Sequence, residues 1–181
     1  MTMAPPLRKL ALTAHVVSSV GWLGAVVVFL GLSVAGLTSQ DAQSVRVVYL
    51  AMDAIGIFVL VPFSLASLLT GLLQSLGTRW GVFRHYWVLA KLLINVGASV
   101  VLLMYAQTLS ALAGAASGNA DLGEVRSPSP VLHAAAALGL LLVAVMLSVY
   151  KPRGMTRYGW RRRQEQRGAL RTAPRDPLLE T

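Results

Sequence analysis

Residues 10–37, LALTAHVVSSVGWLGAVVVFLGLSVAGL, decide what kind of protein this is. The stretch holds no charged residue and exceeds the roughly 20 apolar residues that a helix needs to cross a bilayer. Arg8 and Lys9 precede it, as basic residues precede the apolar core of a secretory leader. That core is only about 7–15 residues long, however, so the run reads as a retained span. Three further stretches of the same kind follow at residues 47–76, 86–112 and 131–150. The expectation is an all-α, polytopic membrane four-helix bundle over residues 1–150, then a basic tail over residues 151–181. From Thr172 onward the tail reads as disordered. Pro62 is expected to kink the second span, because its ring removes a backbone donor and crowds the preceding turn.

Composition agrees. Hydrophobic residues make up 55% of the chain and charged residues 13%, about half the charged share of a soluble domain. Mean hydropathy is +0.63. A net charge of +9 would suggest nucleic acid in a soluble protein, but here the basic residues sit where they orient spans, so nucleic acid is not expected as a partner. Cysteine is absent, which excludes disulfides, thiolate metal sites and cysteine nucleophiles.

Lysine and arginine set the orientation of a membrane protein. Arg8 and Lys9 precede the first span, Arg79 and Arg84 join the second to the third, and nine basic residues from Lys151 to Arg175 follow the fourth. The opposite side holds Arg46 and Arg126 against Asp41, Asp53, Asp121 and Glu124. Both termini are therefore expected in the cytoplasm, with the chain in the inner (cytoplasmic) membrane. The tail's arginines, with Tyr158 and Trp160, suit anionic lipid headgroups. Residues 114–130, rich in glycine, alanine, serine and proline, read as an outer loop that ends at Ser127-Pro128-Ser129-Pro130.

At 100° per residue the first span has two faces. Gly24, Gly31 and Ala35, with Gly21 at the edge, form a small-residue stripe suited to close helix packing or to a homodimer. Nearly opposite lie His15, Ser19, Trp22, Val26 and Ser33. The second span carries Asp53, Ser64, Ser67, Gly71 and Gln74 in one broad stripe, and the third carries Lys91, Asn95 and Ser99 at intervals of four. Intramembrane polar residues face a bundle interior or a hydrated cavity. These stripes are therefore expected to converge as a polar interior, either as interhelical hydrogen bonds or as a path.

Three histidines are candidates for chemistry. His15 and His85 both lie toward the inner side, so a haem b pocket with Trp22 as a wall and Arg79, Arg84 or Lys9 near the propionates is one reading. Plain structural roles for both histidines are the alternative. His133, Asp53 and Met52 lie toward the outer side and make a second candidate, a shallow metal site or a proton-responsive pair. Copper is the less favoured metal because the six methionines are scattered. Lys91 either snorkels to the inner headgroups or lines an inner vestibule. No G-x-S-x-G elbow, H-E-x-x-H pair or phosphate-cradling glycine loop occurs, so no enzyme is indicated.

His15 followed by Gly21-Trp22-Leu23-Gly24 resembles the first span of a large group of predicted integral membrane proteins. That group includes an uncharacterised four-helix branch and the copper-resistance protein D family. Leu69-Thr70-Gly71 through Thr78-Arg79-Trp80-Gly81, then Tyr86-Trp87-Val88-Leu89-Ala90-Lys91, is similar to the four-helix branch. The resemblance covers about three spans and implies a four-helix membrane protein. It does not bring copper transport with it, since the further ligands of the copper-resistance proteins have no counterpart beyond His15 and Trp22. Taken together, the sequence points first to a non-enzymatic ligand-binding or accessory membrane subunit, with a membrane complex as partner. A haem- or copper-binding redox protein and a small transport component are the alternatives.

Overall fold

A computed structural model describes residues 3–77, 83–118, 126–152 and 154–172. Arg79, Trp80, Asp121, Glu124, Arg153 and Arg175, and the tail beyond residue 172, lie outside them. The described residues are helical: α1 (Pro5–Thr38), α2 (Ala42–Ile55), a π-helical segment (Gly56–Leu60), α3 (Val61–Gly77), α4 (Tyr86–Ser117), α5 (Ser129–Tyr150) and α6 (Arg157–Thr172). Four helical rods are long and apolar enough to cross a membrane, with α2, the π segment and α3 forming one of them. The chain is a multi-pass, all-α bundle. α1 packs on α3, α2 and α5, and α4 packs on the remaining sides of the same three.

The surface is inverted relative to a soluble protein. Val17, Val20, Leu69, Leu73, Leu93, Met104 and Val149 are all more than half exposed. Apolar side chains at that density on the outside are what hydrocarbon solvates. The core runs along one face of α1 through Trp22, Val26 and Phe29, and is completed by Met52, Leu60, Leu109, Ala134 and Leu141. The spacing 22–26–29 is the i, i+4, i+7 pattern of a helix that presents one stripe to its neighbours.

Each end of the bundle has its own fastening. At one end the Met3 amide bonds the Gly77 carbonyl at 3.3 Å, so the N-terminus meets the end of α3. That end also gathers Arg8, Lys9, Arg84, Lys151 and α6. At the far end Asp41 caps α2, accepting from the Ser44 amide at 2.8 Å and the Ser44 hydroxyl at 2.6 Å. The Arg126 guanidinium donates to the Ser39 carbonyl. The Ser127 amide donates to the Tyr49 hydroxyl at 3.2 Å, on a ring only 1% exposed.

Pro62 does shape the second span, by a five-residue π segment immediately before it. The Val61 amide reaches back to the Gly56 carbonyl, one residue farther than in an α-helix. Proline cannot supply the amide that an unbroken α-ladder would use at that point, and widening the preceding turn is one way a helix absorbs the gap. Gly56 opens this segment against α4: a Cβ there would lie 2.8 Å from Leu109.

Candidate functional site

The polar residues of α1 and α3 meet each other. The Ser19 and Ser67 hydroxyls are 2.9 Å apart. The His15 Nδ1 lies 3.1 Å from the Thr70 hydroxyl, and its ring rests on Gly71, where a Cβ would approach to 3.1 Å. The Gln74 amide donates to the Ala11 carbonyl at 3.0 Å. Ser64 and Ser67 are essentially fully buried, and Ser64 donates to its own helix at Val61. Much of the expected polar interior is thus a seam of hydrogen bonds that ties α1 to α3.

The α4 stripe stands across from that seam. Lys91 is half-buried and lies within electrostatic reach of His15. The Ser99 hydroxyl is buried with no hydrogen-bond partner among the described residues. Asn95 is half-buried beside them. His85 sits apart, at the N-cap of α4, with its backbone bridged to Met155 and its ring 6.3 Å from that of Trp87. Trp22 is two turns along α1 from His15, about 10 Å by helical rise, and belongs to the apolar core rather than to the His15 surroundings.

Met52, Asp53 and His133 occupy three different settings. Met52 is 0% exposed within the apolar core. The Asp53 carboxylate accepts from the Ser110 hydroxyl of α4 at 2.7 Å. His133 stacks on Tyr105, with ring centroids 4.1 Å apart and planes 19° from parallel. Tyr105 and Ser110 lie on α4 faces about 140° apart, so Asp53 and His133 address different sides of that helix. Among the described residues no group of three or more histidine, aspartate or glutamate side chains is placed to hold a metal ion. The His133 Nδ1 lies 2.8 Å from the Ser129 carbonyl. A carbonyl only accepts, so Nδ1 is the donor in this bond.

His133 and Tyr105 stand at a cavity that the sequence reading did not find. It has a volume of about 230 Å³ and lies between α1, the π segment, α4 and α5. Trp22, Val26 and Phe29 form one wall, Leu60 and Tyr105 others, and Ala137 the floor on α5. The walls are apolar almost throughout. The lining residues Gly97, Val101, Ala136 and Leu140 are exposed on the bundle's outside. They mark a mouth between α4 and α5 that opens toward lipid. Small residues make this opening: a Cβ at Gly97 would meet no atom within 4 Å. The periodicity of α4 and α5 contained the signal as a run of alanines and a glycine at residues 97–98 and 134–137, but small residues on an apolar span read equally as packing.

No family model matches the chain, and comparisons with curated proteins and with solved structures likewise found no match.

Proposed function

We propose that this chain is a non-enzymatic membrane subunit that holds a small apolar group, such as a ring or part of a hydrocarbon chain, within its own bundle. The observation that carries this reading is the cavity of about 230 Å³ with a mouth on the lipid side between α4 and α5. An apolar cavity of about 150 Å³ stays dry and accepts benzene, so this one has room for a somewhat larger group. Its walls offer dispersion and shape rather than hydrogen bonds. The ligand's polar end, if it has one, would lie near the His133 and Tyr105 rings. The seam between α1 and α3 favours this reading over a conduit, because hydroxyls bonded to each other are not free to solvate a passing ion.

The charge distribution supports an orientation with both termini in the cytoplasm of a cell whose inner membrane holds the protein. The resemblance of the first three spans to the predicted four-helix membrane group accords with an accessory role in a larger membrane complex.

The test is photolabelling of the full chain in lipid nanodiscs with a diazirine-bearing small hydrocarbon, mapped by mass spectrometry. Saturable labelling centred on α4 and α5 near Val101 and Ala137 is expected, and Gly97→Phe should abolish it by filling the mouth. Labelling that does not saturate and spreads evenly over lipid-facing residues would sink the proposal. A Soret band in the same preparation, lost in His15→Ala, would replace it with the haem reading.

A further inference from the structure

α6 is fastened to the start of α4, and the fastening decides which of its faces is free. The Thr156 amide donates to the Arg84 carbonyl at 3.0 Å, and the Thr156 hydroxyl donates to the Phe83 carbonyl. The same hydroxyl accepts from the Gly159 amide at 3.1 Å, which makes Thr156 the N-cap of α6. Met155 bridges His85. Gly159 presses on the Arg84 backbone so closely that a Cβ would lie 2.5 Å from its carbonyl oxygen. The docked side of the first turns is therefore the side that carries Gly159.

At 100° per residue the opposite side carries Trp160, Arg157, Arg161 and Tyr158, in that angular order. All four are exposed, Trp160 and Tyr158 by 56% and 52%. Two arginines are thus flanked by two aromatic rings, on a helix that begins seven residues after the last residue of α5 and is pinned at the entry to α4. Tryptophan and tyrosine settle at the headgroup level of a bilayer, and arginine pairs with phosphate through a planar fork of donors. No acidic residue interrupts these four positions; Glu165 lies a turn beyond.

We infer that this face of α6 binds the headgroups of anionic phospholipid in the membrane that holds the bundle, with Gly159 and Thr156 as the residues that aim it. Charge complementarity selects the partner, and the short tether makes the protein's own bilayer the nearest polyanion. The inference is independent of the cavity and of whatever occupies it.

The experiment uses the full chain in nanodiscs of phosphatidylcholine with or without phosphatidylglycerol brominated on its acyl chains near the headgroup. The fluorescence of Trp160 is isolated as the difference between the wild type and Trp160→Phe. Quenching that rises with brominated phosphatidylglycerol and falls with added salt is expected. The double variant R157Q/R161Q should need about 30-fold more phosphatidylglycerol for half-quenching, since each near-surface arginine contributes about 1 kcal/mol. Both positions are exposed, so folding is not at stake. Gly159→Ala, which collides with Arg84, should reduce quenching while leaving every arginine in place. Equal quenching in brominated phosphatidylcholine, or quenching unchanged in R157Q/R161Q, would overturn the inference. So would protection of Trp160 by soluble heparin in place of phosphatidylglycerol, which would assign the face to a soluble acidic partner.

Discussion

Two glycines in α1 that look alike in sequence do different things. A Cβ at Gly21 would lie 2.8 Å from the Phe63 ring of α3, whereas one at Gly24 would meet nothing within 4 Å. Gly21→Val should therefore destabilise the bundle by about 1–3 kcal/mol through overpacking, and Gly24→Val should stay within about 0.5 kcal/mol; unfolding in mixed detergent micelles measures both. The stripe of Gly24, Gly31 and Ala35 is exposed, and the α1 glycines that let neighbouring elements approach are Gly21 and Gly36. Periodicity separates two faces of a helix, but it does not say which small face meets its own chain. Asp41 supplies a prediction in pH. The Ser44 hydroxyl, then the Ser44 amide, hold its carboxyl below the ordinary range. The cap is thus fully formed above the unfolded pKa and is lost as pH falls through the lowered folded value. Exchange protection of the Ser44 amide, corrected for intrinsic rates, should drop in that acid window in the wild type and show no such step in Asp41→Asn.

At the scale of elements, the four spans were legible because their apolar runs are long and their ends carry charge or proline. The structure extends the expected spans by a few residues: α1 begins at Pro5 rather than residue 10, and α4 continues to Ser117 rather than residue 112. The α1 extension begins with proline in its first turn, where the missing amide has no partner to lose, and the α4 extension runs through alanine and serine. α6 was not legible as a docked helix, because its mooring is made by backbone atoms of Phe83 and Arg84 and by one hydroxyl. Thr156→Val removes the cap and the bond to Phe83 together, and a helix N-cap is worth about 1 kcal/mol. Amides of the first turn of α6 should then exchange about fivefold faster, with those of α5 unchanged. The cavity stayed hidden for a related reason, since a void is set by what four elements jointly fail to fill.

Over the whole molecule, charge is sorted to the ends while apolar surface wraps the middle. Cysteine is absent from the chain, so single cysteines report topology without background. Gln40→Cys should react with an impermeant thiol reagent in intact cells, and Gln164→Cys only after the membrane is opened; the reverse pattern would invert the proposed orientation. The polar seam was legible in part. Ser64, Ser67, Gly71 and Gln74 do share a side of α3, but Asp53, placed with them at 100° per residue, faces Ser110 of α4. The π segment between them is the cause. Its added residue turns everything on the α2 side by about 100° relative to α3. The second span therefore has two reading frames on one rod, and a substitution series has to be rephased at Gly56 before its pattern makes sense. Deleting one residue between Gly56 and Leu60 would remove the π turn and merge the frames while leaving Asp53 toward Ser110, because the deletion takes out the same added residue that the π turn absorbs.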